Sequence, residues 1–268
     1  MLISPNGWIY FPRPNREAEL RLFCFPGLGA SASLFFPWGE LLPQTIEVAT
    51  IQPAGRTPEL DLPPTGEGFT AMVRAVAEEV QSYQDRPFAF FGHSLGAILA
   101  FEVARLLVEQ TKIPPVHLLF ACIPPPHVDR SLIPQLNLPF KEGLAHLLAE
   151  LSNISPGLVN ASHQSTLMTR LHYDARLWTT YRYHSRPPFG CPLTIYAGSR
   201  DPFVNVDLLS GWQYYTTGPY TLELFTGSHF FFYIDPGPLL QVLTHSLIEQ
   251  EIPGPQTVSG YRSWGFER

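Results

Sequence analysis

The sequence predicts an α/β protein: a mostly parallel central sheet flanked by helices, with a helical lid inserted in its second half. Two observations carry that prediction. Short apolar runs rich in β-branched and aromatic residues alternate with segments of helical period, as in a parallel sheet wrapped by helices. One long stretch, about 131–183, breaks the alternation: it holds two amphipathic helical patterns and no convincing strand.

In chain order, the expected strands are Leu20–Phe25, Ile46–Ile51, 88–91, 116–121, 193–197 and Tyr220–Phe225, each composed like a strand buried on both faces. Phe69, Met72, Val73, Val76, Val80 and Tyr83 recur at three- and four-residue steps and give one helix an apolar stripe, with Arg74, Glu78 and Glu79 largely off it. The segment 95–109 is apolar nearly all round at first, so its helix should be central. Leu239, Leu240, Val242, Leu243 and Leu247 mark a last helix. The tail, about 252–268, holds Pro253, Gly254, Pro255, Gly260 and Gly265 without periodicity and is expected to be irregular. Within 131–183 the patterns are Leu144, Leu147, Leu148, Leu151, then Leu167, Met168, Leu171, Trp178, Tyr181. One crossover needs only about a dozen residues, so this insertion is expected to cap the carboxyl edge of the sheet, where ligands bind; an ordinary pair of crossover helices is the alternative. The whole chain, 1–268, reads as a single domain, with no internal repeat.

The strongest chemical signal is Gly92-His93-Ser94-Leu95-Gly96, directly after a strand and opening a helix. A G-x-S-x-G run in that setting is a nucleophile elbow: a sharp turn holds the serine in a strained conformation with its hydroxyl outward. A serine hydroxyl needs a base, and the base a carboxylate to orient it. His93 is adjacent, but neighbours at a strand end point to opposite sides, so a packing role is expected for it. His229, in Gly227-Ser228-His229 after the last expected strand, is the better base. Asp201, just past the strand 193–197, is the expected acid. Asp129, beyond Pro124, Pro125 and Pro126, is the rival. The chain order Ser94, Asp201, His229 is that of α/β-hydrolases. Oxyanion donors are expected from the N–H of Leu95 and from the turn Pro26-Gly27-Leu28-Gly29-Ala30 after the first core strand, there the N–H of Leu28. No H-E-x-x-H, paired Cys-x-x-Cys or clustered acidic loop calls for a metal, and no cofactor is expected.

Composition narrows the class. With 45 % hydrophobic and 15 % charged residues the chain is no disordered segment. A net charge of −6 without a Lys/Arg cluster argues against nucleic acid. Cys24, Cys122 and Cys191 lie far apart in apolar runs and are expected to be buried reduced thiols. The start of the sequence lacks a basic n-region and no apolar run approaches a spanning length, so a soluble cytoplasmic protein is expected, free of membrane.

Taken together, these motifs resemble the stand-alone type II thioesterases that accompany non-ribosomal peptide and polyketide synthases. The resemblance runs from about residue 20 to 247 and is carried by Phe25-Pro26 with its small-residue turn, Trp38, Gln52-Pro53-Ala54-Gly55-Arg56 in place of the family's Pro-Gly-Arg, 92–97, Tyr181-Arg182-Tyr183, Asp201-Pro202 and 227–231. The family's Gly-Asp-His is Gly227-Ser228-His229 here. In thioesterase domains fused to synthases the acid often follows the strand after the nucleophile helix; that place holds Ala121, Cys122 and Ile123, which favours the stand-alone type. The resemblance implies hydrolysis of acyl groups from the phosphopantetheine thiol of acyl or peptidyl carrier proteins, by a Ser-His-Asp acyl-enzyme route without a cofactor of its own. It also implies cap helices lining an acyl pocket, Gly27, Gly29 and Phe230 at the substrate, and a monomer. A serine esterase or lipase acting on free esters, and a non-catalytic binding protein on the same fold, are the competing classes.

Overall fold

The computed structural model describes residues 1–55, 68–128, 146–151, 161–248 and 262–264. The strands are β1 (Leu2–Ile3), β2 (Ile9–Phe11), β3 (Leu20–Phe25), β4 (Ile46–Ile51), β5 (Phe88–His93), β6 (His117–Ala121), β7 (Leu193–Gly198), β8 (Tyr220–Phe225) and β9 (Arg262–Trp264). They form one sheet in the order β1-β2-β4-β3-β5-β6-β7-β8-β9. From β4 to β9 every neighbouring pair is parallel, while β1–β2 and β2–β4 are antiparallel. The described helices are α1 (Trp38–Leu41), α2 (Gly68–Gln81), α3 (Leu95–Thr111), α4 (Ala161–Thr180) and α5 (Gly237–Ile248), besides short 3-10 turns.

Strand alternation divides the apolar residues between two cores. Phe23 and Phe25 of β3 and Phe88 and Phe90 of β5 pack with the α2 and α3 side chains on one face. Leu22, Cys24, Ala89 and Phe91 pack with Trp38 and with Leu239, Leu240 and Leu243 of α5 on the other. β3 to β7 are buried at every position, as continuous apolar runs require. The α2 stripe buries Phe69, Met72, Val73, Val76 and Val80 as its spacing predicts, but Glu79, expected off it, is buried too, where it accepts from Asn6 Nδ2 at 2.6 Å, and Tyr83 lies beyond the end of the helix. Helix α3 is capped by Lys112, whose N–H donates to the Val108 carbonyl and whose left-handed φ of 61° turns the chain out of the helix.

The differences from the sequence reading have local causes. The strand expected over 88–91 runs on to His93, because Gly92 and His93 still pair with Phe120 and Ala121. The strand expected over 116–121 begins at His117, and the one over 193–197 extends to Gly198, which pairs with Phe225. β1 and β2 are too short for alternation to reveal; the pairing of Ile9 with Ile51 sets them. In the tail expected to be irregular, β9 pairs in parallel with β8 through Arg262 opposite Glu223. Of the insertion expected over 131–183, the helical stretch 146–151 and α4 are described, and 131–145 and 152–160 lie outside the described residues. Arg56 and Asp129 lie outside them too. Among the described residues, no helix is long and apolar enough to cross a membrane.

One buried group makes stability depend on pH. His117, 3 % exposed on β6, bonds through Nε2 to Thr194 Oγ1 at 2.8 Å. Burial pushes its pKa down to about 4, with a backbone bond at Ser246 pulling the other way. The unfolded chain therefore binds this proton first: the contribution is whole above the ordinary imidazole value of 6.5 and is lost as pH falls toward 4. At pH 5 the loss should be about 2 kcal/mol. His117→Gln is expected to remove that share of the stability lost between pH 7 and 5, read from urea midpoints; an unchanged difference would refute it.

Candidate active site

The sheet reverses its winding at β3. The chain passes from β3 to β4 on one side and later returns as β5 on the other, and a parallel sheet opens a crevice at the carboxyl ends of such strands. Phe25 pairs with Gly92, so the turn after β3 and the elbow after β5 leave the sheet side by side.

At the elbow Ser94 has φ 52° and ψ −125°, a conformation costing roughly 1–3 kcal/mol. It caps α3 by position, yet its side chain makes no capping bond, so the hydroxyl is not spent on the helix. The turn closes only with glycines on either side. A Cβ on Gly92 would lie 2.4 Å from the Ala97 Cα, and one on Gly96 would lie 2.3 Å from the Phe25 carbonyl oxygen. The Ser94 N–H donates to the Ala121 carbonyl at 2.8 Å, anchoring the elbow to the end of β6.

The loops after β7 and β8 are tied together before they present their side chains. Arg200 N–H donates to the Gly227 carbonyl at 2.9 Å and Ser199 N–H to Phe225 at 2.8 Å. On these loops His229 Nδ1 meets Asp201 Oδ2 at 2.8 Å, while Asp201 Oδ1 accepts from the Phe203 N–H at 2.7 Å. The Asp201 side chain is fully buried and that of His229 nearly so. Both carboxylate oxygens thus have a hydrogen-bond partner, as buried polar atoms require.

His93 lies behind this pair. Its Nε2 bonds the His229 carbonyl at 3.0 Å, and the Tyr233 hydroxyl lies 3.3 Å from its Nδ1. Burial, followed by the neighbouring His229, holds its pKa well below the usual imidazole range. A neutral His93 steadies the backbone of His229, a more specific contact than the packing role expected from sequence. Phe230 is buried edge-on to the His229 ring, at 5.0 Å between centroids. Cys122 follows β6 with a left-handed φ of 57°. Burial first and the Asp201 carboxylate second push its thiol pKa well up, so it stays protonated. Cys24, Cys122 and Cys191 are all buried free thiols. The donor atoms of His93, Cys122 and His229 lie within 4.8 Å of one another, but His93 Nε2 and His229 Nδ1 already hold protein partners.

Across the crevice, Gly27 to Ala30 form a turn closed by the Ala30 N–H on the Gly27 carbonyl at 3.1 Å. A Cβ on Gly27 would lie 3.3 Å from the Ser94 Cβ, so this turn abuts the elbow. No other described residue engages the N–H of Leu28 or of Leu95. The Gly29 N–H is taken by Asp174 Oδ2 at 2.7 Å. Met72, Leu95, Leu99 and Leu177 line an apolar pocket here, with Gly27 and Asp174 at its wall. Asp174, 6 % exposed, is the residue that sequence reasoning missed. It sits three positions after Leu171 on the apolar stripe of α4, and a carboxylate at a stripe position was the available signal.

Residues 20–245 match the thioesterase domain family. The gramicidin S biosynthesis protein GrsT of Aneurinibacillus migulanus is 33 % identical over 245 residues, which cover 90 % of this chain and 94 % of that protein. The medium-chain S-acyl fatty acid synthase thioesterase of Rattus norvegicus is 29 % identical over 226 residues, 81 % of this chain and 83 % of that one. The solved structure of BorB, the type II thioesterase from the borrelidin biosynthetic cluster, superposes with a TM-score of 0.78 at 28 % identity, covering 92 % of this chain and 100 % of that one. A sheet that reverses its winding at β3, next to the strand that carries the elbow, and a family match running from its first parallel strand into its last described helix, make this chain a member of the thioesterase family, on the α/β-hydrolase fold.

Proposed function

We propose that the protein hydrolyses acyl thioesters held on the phosphopantetheine arm of carrier proteins of peptide or polyketide synthesis, by an acyl-serine mechanism. The observation that carries this reading is the buried His229–Asp201 pair on the loops beside the strained Ser94 elbow. GrsT and BorB, named for gramicidin S and borrelidin biosynthesis, support the substrate class.

In the proposed reaction Asp201 accepts the Nδ1–H of His229 and so leaves Nε2 unprotonated to take the Ser94 proton. The Ser94 oxygen attacks the thioester carbonyl, and the resulting oxyanion accepts hydrogen bonds from the N–H groups of Leu28 and Leu95. The carbon–sulfur bond breaks, the pantetheine thiol leaves with the proton from His229, and the acyl group remains as an ester on Ser94. Water, deprotonated by His229, attacks that ester; the free acid departs and Ser94 recovers its proton. Water is the sole co-reactant. The apolar side chains beside Leu95 have the character that an acyl chain's contacts require.

Mass spectrometry of a carrier protein loaded with a series of acyl groups tests this directly. Loss of the acyl mass with release of free pantetheine thiol is expected, at kcat/KM well above that for an oxygen ester of the same acid. Faster turnover of the ester would make the protein an esterase on this fold.

A further inference from the structure

We infer that Asp174 of α4 is a positioning residue that sets the oxyanion turn. The inference rests on the proposed role of the Leu28 N–H. The turn Gly27-Leu28-Gly29-Ala30 carries Gly29 at φ +75°. With Leu28 outside the positive-φ region, a left-handed third residue marks a type II turn, which differs from type I by a flip of the peptide joining the two central residues. That peptide's N–H is the one Asp174 Oδ2 accepts at 2.7 Å, from a residue only 6 % exposed. A flip would swing the Leu28 carbonyl toward the carboxylate and strand a buried N–H, so the carboxylate selects one orientation.

The helix is pressed close enough to enforce the choice. A Cβ on Gly29 would lie 2.7 Å from Leu171 Cδ2 and 3.0 Å from Leu167 Cδ1, both on α4. On the far side the turn abuts Ser94 through Gly27. Contact therefore runs from α4 through the turn to the elbow, and Asp174 is the polar link in it. The peptide next to the one it grips is Gly27–Leu28, whose N–H is the proposed donor. Acting on a donor that strengthens its bond only as charge develops, Asp174 should influence kcat and leave substrate binding nearly alone.

The test is steady-state hydrolysis of hexanoyl-N-acetylcysteamine by the wild-type protein, Asp174→Ala, Asp174→Asn and Ser94→Ala. It is paired with the rate at which a fluorophosphonate labels the three proteins that keep Ser94, because its phosphoryl oxygen must use the same N–H groups. Asp174→Ala is expected to lower kcat about 10- to 100-fold, below the ~10²–10³ of a donor removed outright, with KM within about threefold and labelling slowed in parallel. Asp174→Asn, whose amide oxygen still accepts the Gly29 N–H, should recover to within about fivefold of wild type. Equal loss in Asn and Ala, an effect confined to KM, or an undiminished kcat in Asp174→Ala would each overturn the positioning role. Should Asp174→Ala fail to fold, the near-isosteric Asp174→Leu, which has no acceptor, replaces it under the same criteria. Turnover surviving in Ser94→Ala would instead overturn the catalytic reading beneath it. An inert Ser94→Ala beside an unimpaired Asp174→Ala would remove the positioning role alone.

Discussion

Ser94→Ala is expected to lose thioester hydrolysis by roughly 10⁴-fold or more while the protein stays folded. Without the hydroxyl no acyl-enzyme can form, and what remains is the polarisation of a bound carbonyl by backbone donors. Stability should change by less than about 1 kcal/mol. The Ser94 side chain makes no capping bond to α3, and alanine bears the same strain at φ 52° as serine. Turnover at high protein concentration and a urea denaturation curve check both halves. Near-normal turnover in a folded variant would refute the assignment of the nucleophile.

Asp201→Asn should lower kcat/KM by about 10⁴, and the surrounding bonds say why. Oδ1 of Asp201 accepts the Phe203 N–H at 2.7 Å, so an asparagine would place its amide oxygen there and turn its NH₂ toward His229. Nδ1 of His229 would then have to accept, which moves the ring proton to Nε2, the atom proposed to receive the serine proton. The variant should keep the geometry and lose the tautomer. Asp129→Asn should leave turnover within about threefold; the opposite pattern would transfer the acid to Asp129.

How legible the site was depends on how local its determinants are. The elbow could be read because its requirement is covalent and short-range: Gly92 and Gly96 flank Ser94, and a strand run and a helix run flank the glycines. Asp201 and His229 could be nominated by their places just after strands, since a parallel sheet brings the carboxyl ends of its strands to one edge. Asp174 could not. It lies 145 residues from Gly29 in sequence, and its bond depends on how α4 crosses a turn, which no periodicity records. The bond from His93 to the His229 carbonyl was hidden for the same reason, as was the buried Arg21–Glu47 pair at 2.7 Å, inside strands that read as apolar.

By itself the sequence determined the class of fold, the six principal strands, the stripe of α2 and the elbow, because these follow from side-chain alternation, helical period and the steric freedom of glycine. Tertiary structure alone decided the edge strands β1, β2 and β9, the pairing of His229 with Asp201, and the seat of Asp174 on the turn after β3. Apart from the pairing of β1 with its neighbour β2, which joins the sheet only through β4, each of those is a contact between segments distant in the chain. Its free energy comes from burying and satisfying polar groups in one particular packing, and that packing exists only once the sheet has been assembled.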